Sequence, residues 1–465
     1  MGTILFFDDW ALCHIENVKR TMGKPKWIKE ATLVDSLTEG TWNFPYVWKD
    51  EKDHKWKAIY CAALPDGENT MGFLPRSQAL MYAESDDGYR WVKKDVSNQR
   101  NGLENSPYPN QVYGVEGHID GAPVRMDEQE KDPERRFKYL FSRNGLQGMA
   151  VSPDGIRWSI AEDVVMGNYT LDSPITYFYN HYRDSYFVSR RLHCGDRRIA
   201  FMETKDWKTF AKPEIVIHPD PEDMTLVQFY GMPVYRYESL YIGLLWRLYC
   251  HPTEQWASKG FYGPIDCALA YSLDGYRFNR ATHEAFVERT ERGEHGSGCI
   301  YTGCMVTDKE NGLIRFYSGG SKGEHFQNQN LDDAALMLHV LRLDGFFKFE
   351  SYIQKGRIMT RTVSFFGEKL QLNVLAPNGT IRVQIIDNTD KVVNGYSFDE
   401  CIAFTGDEIY YEPHWNSGKT VAMLVGNERY HIDIELVNAE IYAIRGDFQM
   451  NYGWGTESAP VKFEV

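Results

Sequence analysis

The chain has 465 residues, 43% of them hydrophobic and 25% charged, the profile of a folded globular protein with room for two or three domains. Its formal charge of −14 excludes a sequence-independent grip on nucleic acid, because no basic run is present to neutralise a phosphate backbone. No apolar stretch approaches membrane-spanning length, and the opening Met1-Gly2-Thr3-Ile4-Leu5-Phe6-Phe7-Asp8-Asp9-Trp10 lacks the basic start and apolar run of a signal peptide.

Aromatic residues reach 14%, which favours β architecture and sugar-stacking surfaces over a helical bundle. The eight cysteines show no C-x-x-C pair and no framework spacing. They read as small buried hydrophobes in a reducing compartment, so a cytoplasmic protein is expected, with no disulfides and no cysteine metal site.

In chain order, residues 3–7 read as a short apolar strand that ends at Asp8-Asp9-Trp10. The same succession then occurs five times: a first strand, an aromatic-rich second strand, a third strand, and an Asp-containing turn. The first set is 44–47, 56–61 and 79–82, leading to Ser85-Asp86-Asp87-Gly88-Tyr89-Arg90-Trp91. The second is 121–124, 137–141 and 149–151, leading to Ser152-Pro153-Asp154-Gly155-Ile156-Arg157-Trp158. The third, 173–176, 186–188 and 199–202, ends on the looser Thr204-Lys205-Asp206-Trp207-Lys208-Thr209-Phe210. The fourth, 231–234, 241–246 and 269–271, ends on Ser272-Leu273-Asp274-Gly275-Tyr276-Arg277-Phe278. The fifth, 302–305, 314–317 and 336–338, ends on the degenerate Arg342-Leu343-Asp344-Gly345-Phe346-Phe347.

The turn phrases start 67, 52, 68 and 70 residues apart. An Asp-Gly turn between β-formers is a hairpin signal, because glycine reaches positive φ without cost and the aspartate caps its own turn. At this period it predicts a radial array of small sheets, a five-bladed β-propeller over residues 1–355. Asp86, Asp154, Asp206, Asp274 and Asp344 recur in every unit and are therefore assigned to structure.

After Phe349 the texture changes. Alternating 370–374, then Asn378-Gly379, then 381–385 predicts a hairpin, and alternation returns at 430–436 and 441–444. These segments predict a C-terminal antiparallel β-sandwich over 356–465, with a tail at 449–465 that adds a strand. No low-complexity linker separates the two domains.

The informative positions are polar residues directly before the first strands, because in a propeller those points converge on one mouth of the channel. They are Glu39, beside Trp42; His118 and Asp120; Asp172; Gln228 and Tyr230; and Glu294 and His295. Carboxylates aimed at one cavity from separate blades suit glycoside hydrolysis, in which one acid protonates the leaving oxygen and the other attacks or activates water. Like charges crowded in a cleft also push their pKa values apart, which separates the two roles. Glu39, Asp120 and Asp172 form the expected catalytic set, and His118, Tyr230, Glu294, His295, Trp42 and Arg190 the expected substrate site. Arg190-Arg191 could hold a sugar carboxylate or hydroxyls, or bridge at the surface. Glu324-His325, after Gly319-Gly320, is open in the same way. Trp42, Tyr230 and Trp246 are the aromatic candidates for a stacking platform or for core.

On these residues the chain resembles glycoside hydrolase family 32, the fructofuranosidases, and in its propeller family 43, the arabinofuranosidases and xylosidases. It is similar to bacterial proteins with a family-32-like N-terminal domain through Leu5-Phe6-Phe7-Asp8-Asp9-Trp10, Tyr230-Gly231-Met232-Pro233-Val234, Leu341-Arg342-Leu343-Asp344-Gly345-Phe346 and Phe366-Gly367-Glu368-Lys369-Leu370-Gln371-Leu372-Asn373. Where family 32 has Asn-Asp-Pro, this chain has Asn43-Phe44-Pro45, and Gly293-Glu294-His295-Gly296 is similar to the Gly-His segment of family 43. The resemblance implies an exo-acting, furanosidase-like hydrolase of a small oligosaccharide. Phosphorolysis or transglycosylation on the same fold, and a non-catalytic sugar-binding propeller, are the alternative readings. No cofactor and no membrane partner are expected; a structural calcium ion in the channel and self-association into a homo-oligomer are compatible with the fold.

Overall fold

The computed structural model describes residues 2–34, 44–64, 77–114, 119–121, 123–143, 146–164, 176–193, 196–224, 226–251, 262–325 and 334–451. Among these, every element is a β-strand or a short 3-10 turn, and no helix is long and apolar enough to cross a membrane. None of the seven described cysteines is in a disulfide. The chain forms two compact units that do not follow a single cut: residues 1–24, 308–314 and 341–465 make one, and 25–307 with 315–340 the other.

The larger unit contains, among the described residues, five antiparallel meanders, each with the predicted second and third strands. Trp56–Leu64 pairs with Tyr46–Lys49 and Ser77–Ser85. Phe137–Arg143 pairs with Ile119–Gly121, Arg125–Met126 and Leu146–Ser152. Ser185–His193 lies between Tyr177–Asn180 and Arg197–Thr204. Leu240–Tyr249 holds Val227–Gly231 and Val234–Tyr237 on one side and Ile265–Ser272 on the other. Cys299–Asp308, Leu313–Ser321 and Ala334–Arg342 form the fifth, whose outer strands come from Lys26–Trp27 and Leu33–Val34. A parallel bridge at Ile265↔Cys299 joins the fourth and fifth into one nine-stranded sheet.

The first four turn phrases each dock on a neighbouring meander. Gly155 abuts Ile59 and Trp48, and Gly275 abuts Asn180 and Tyr241. Trp207 packs with Leu140, Met149 and Val151. The first turn meets the fifth meander: Arg315 donates to the Asp87 carbonyl at 2.8 Å and the Tyr317 hydroxyl to that of Gly88 at 3.1 Å. The succession of contacts therefore returns to its start.

The turns themselves are local hydrogen-bond devices. Ser85 Oγ accepts from Gly88 N at 2.9 Å, and one oxygen of Asp87 accepts from Tyr89 N and Arg90 N, both at 2.8 Å. Asp154, Asp206 and Asp274 do the same. The capping residue of the first phrase is thus Asp87, and the expectation for Asp86 is corrected: Asp86 is solvent-facing, and the carboxylate that meets the N–H groups of Tyr89 and Arg90 belongs to the residue directly before Gly88. Backbone N–H groups of Thr209 and Lys208 hold the Asp206 carboxyl down to about 2. Gly88, Gly155 and Gly275 have φ of +74°, +82° and +68°, the left-handed conformation glycine adopts freely; the looser third phrase places Trp207 there at +59°.

The fifth phrase departs further. Asp344 has φ +63°, and its buried carboxylate forms an ion pair with Arg445 through both oxygens while accepting from Asn373 Nδ2 at 2.9 Å. It locks the smaller unit instead of capping a turn. That unit is a nine-stranded sheet in which Val363–Asp387, a 25-residue strand, pairs with Phe404–Tyr411, Tyr430–Val437 and Glu440–Met450. Its interior is Ile381, Val383, Ile385, Ile432, Ile434, Leu436, Ile441 and Ile444. The hairpin expected at Asn378-Gly379 is absent: 370–375 pairs with 440–446, while 380–387 pairs with 430–437. Gly379 serves close approach, since a Cβ there would lie 2.1 Å from the Val437 carbonyl oxygen. The expected tail strand is the end of Glu440–Met450, and residues 452–465 lie outside the described residues.

One buried group sets an acid limit. His339, opposite Trp27, is 2% exposed, and neither ring nitrogen has a hydrogen-bond partner among the described residues. Burial pushes its pKa down to about 3. The unfolded chain takes up this proton as pH falls below about 6.5 and the native imidazole does not, so stability is fully present above that pH. It then drops by about 1.4 kcal/mol per pH unit as acid is added. His339→Leu is expected to flatten urea-unfolding stability against pH by that slope between about pH 6 and pH 4; equal slopes in the two proteins would refute it.

Candidate functional site

A group of buried polar residues lies where the third, fourth and fifth meanders meet, around Tyr230. In Val227–Gly231 the register against Leu240–Tyr249 shifts between Phe229 and Gly231, which leaves Tyr230 as the extra residue of a bulge. A bulge re-aims the side chain it carries, and this one turns the Tyr230 ring toward Tyr301 and His325, at 6.0 and 4.8 Å between centroids.

Two guanidinium groups cover the same ring. Arg191, in Ser185–His193, sits 4.5 Å from its centroid and donates to the Tyr230 carbonyl at 3.2 Å. Arg197, which begins the next strand, lies at 5.6 Å and donates to Gln228 Oε1 at 3.2 Å. Each is favoured there by the negative face of the ring, an attraction that strengthens as water is excluded. Tyr230, Arg191, Arg197 and His325 are all 5% exposed or less. His325 donates its backbone N–H to Gly263 and lies 3.4 Å from the Tyr301 hydroxyl through Nδ1. Burial first, then the charges of Arg197 and Arg191, push its pKa well below the usual histidine range, so the imidazole is neutral at physiological pH.

The arrangement therefore offers two positive forks, a phenol ring and an uncharged imidazole on three separate meanders. Such a set can orient carboxylates or hydroxyl groups and can donate or accept a hydrogen bond without titrating near neutrality.

Of the residues predicted from sequence, Tyr230 is at the centre of this cluster. Arg190 is not its contact: the two-residue alternation of a strand sends Arg190 to the opposite face, and Arg191 reaches the ring. Glu294 is half-exposed, and Lys29 takes its carboxylate at 2.7 Å, which lowers its pKa. His295 lies in the same series of turns, its carbonyl accepting from Thr290 Oγ1 at 2.8 Å. Trp246 is core: it is fully buried, stacked on Phe44 at 5.4 Å, and donates to the Thr302 carbonyl. Glu39, Trp42, His118 and Asp172 fall outside the described residues, and Asp120 is described only as a backbone position opposite Ser142. Sequence reasoning missed Arg197, which carries no local signal in its strand, and left His325 undecided.

No family model matches the chain, and no curated protein matches it either. Among solved structures, the chain is similar to an N-acetylgalactosamine deacetylase from F. plautii in complex with blood group B trisaccharide. Identity there is 13% over 71% of this chain and 97% of that one, with a TM-score of 0.44. A family-62 glycoside hydrolase in complex with xylotriose shows 14% identity over 69% of this chain and 98% of that one, TM-score 0.43. A thermostable family-43 glycoside hydrolase shows 12% identity over 66% and 91%, TM-score 0.41.

Proposed function

We propose that the larger unit is a five-bladed propeller and the smaller a β-sandwich, and that the protein is a glycosidase acting on a small carbohydrate. The observation that carries this reading is the closed succession of five meanders, the first turn docked on the fifth, the next three each on the meander before, and the fourth and fifth joined by the Ile265↔Cys299 bridge, with non-repeating polar residues gathered at Tyr230. A repeated scaffold that brings unlike side chains to one place is what separates a site from the repeat.

In this reading Glu39, Asp120 and Asp172 supply the paired carboxylates of glycoside hydrolysis, and Arg191, Arg197, Tyr230 and His325 orient the sugar and the acids. The substrate is a short, exo-cleaved glycoside of furanoside type. The test is turnover on a panel of 4-nitrophenyl furanosides and pyranosides and fructosyl disaccharides. Asp120→Asn and Asp172→Asn are each expected to lower kcat roughly a thousandfold on the best substrate. Unchanged turnover in both variants removes the catalytic assignment, and no wild-type turnover on any glycoside removes the enzyme.

A further inference from the structure

A cavity of about 460 Å³ lies beside the first strand of the fifth meander, between the turns at 289–298 and those at 321–324. Its walls are tied together by backbone. The Ser321 carbonyl accepts from Gly296 N at 3.2 Å and Gly298 N at 3.0 Å, and the Ser321 hydroxyl donates to the Gly323 carbonyl at 2.8 Å. Gly298 lies so close to Gly323 that a Cβ would fall 2.1 Å from its carbonyl oxygen, so no side chain fills the floor. Within the first wall, Gly293 and Gly296 have φ of +93° and +86°, and Thr290 Oγ1 donates to the His295 carbonyl.

The charge lining this cavity is one-sided. Arg289, Arg292 and Lys322 border it, and Arg289 is held in place by donating Nη1 to the Ser297 carbonyl at 3.0 Å. The one carboxylate among the described lining residues, Glu324, faces His251 Nε2 at 2.6 Å. Glu294, on the same turns, is engaged by Lys29. Three cations bordering one recess exceed what a single carboxylate ligand would balance, whereas a phosphate dianion presents oxygens to all of them.

We propose that Arg289, Arg292 and Lys322 form a phosphate-binding subsite, which takes either inorganic phosphate or the phosphate of a sugar phosphate. The recess is larger than a phosphate alone needs, and it has the volume of sites that enclose a small organic ligand. The step is binding only, with no bond made or broken.

The experiment is calorimetric titration of the full chain with inorganic phosphate, with glucose 6-phosphate and with glucose, repeated with the Arg292→Gln, Lys322→Gln double variant. Neither of these two side chains is held by a described hydrogen bond, so the thermal midpoint in phosphate-free buffer is expected to stay unchanged. Wild type is expected to bind at least one phosphate probe and not glucose, and the double variant to bind it at least roughly tenfold more weakly. Equal or tighter binding of inorganic phosphate identifies the free ion as the ligand; tighter binding of glucose 6-phosphate identifies the monoester. Binding of neither probe, or undiminished binding by the double variant, overturns the proposal. Should the double variant unfold, Arg292→Gln alone carries the same comparison. Because no glycoside is turned over, the outcome is independent of the glycosidase reading.

Discussion

Asp344→Ala is expected to destabilise the unit formed by residues 1–24, 308–314 and 341–465 by about 3–5 kcal/mol, because it leaves the buried Arg445 guanidinium without its counter-ion. The side chains of Asp344 and Arg445 are 0% and 7% exposed, so water cannot replace the lost partner. Asn373 Nδ2 loses one of its two acceptors as well, keeping the Leu343 carbonyl at 2.6 Å. The matched control is Asp87→Ala, which removes a partly exposed turn cap and is expected to cost about 1 kcal/mol. Urea unfolding followed by tryptophan fluorescence separates the two. Similar small losses for both would mean that Asp344 is another turn residue and that its ion pair contributes nothing special. An Asp344→Leu, Arg445→Met double exchange is expected to recover most of the loss, since removing both charges leaves none stranded.

Lys138→Met is expected to have an effect of the same size, about 3–5 kcal/mol, in the other unit. The fully buried Lys138 ammonium donates to Asp127 Oδ2 at 2.7 Å, Glu130 Oε2 at 2.8 Å and the Arg135 carbonyl at 3.1 Å, which uses all three of its hydrogens. Methionine conserves the stem but strands two carboxylates, one of them 2% exposed. The pH dependence distinguishes this from a packing defect. Burial raises the pKa of Glu130, but the hydrogen bond and charge of Lys138 outweigh it, and the native value is lowered. In the wild type this pairing contributes stability above the unfolded carboxylate range that is lost as pH falls through the native pKa. Without Lys138 its lowering effect on Glu130 is gone and only those of the Asp132 N–H and the Arg135 charge oppose burial, so the variant's deficit is expected to shrink between about pH 7 and pH 4 as the Glu130 carboxylate protonates. A deficit that stays constant over that range would point to packing instead.

Much of the architecture was legible because it is encoded over short spans. The second and third strands of all five meanders were readable from their aromatic and β-branched runs, and the first four turns from the recurrence of an Asp in a Ser- or Thr-led phrase. These are contacts between residues two or three apart, so contiguous sequence contains both partners. The same locality produced the errors. In Ser85-Asp86-Asp87 both aspartates fit a loose phrase, and only the backbone shows which carboxylate meets Tyr89 N and Arg90 N. Asn378-Gly379 has the composition of a hairpin turn, yet its glycine answers a steric demand from Val437, 58 residues away.

The candidate site was legible only at Tyr230. By itself the sequence determined an all-β chain and the turn devices of its first four repeats. Tertiary structure alone decided that Arg191 and not Arg190 covers Tyr230, that Arg197 and His325 join it, and that Asp344 pairs with Arg445. The physical reason is that each of these contacts depends on a strand's facing, a single-residue bulge, or partners up to about a hundred residues apart, and none of those is written in the residues beside it.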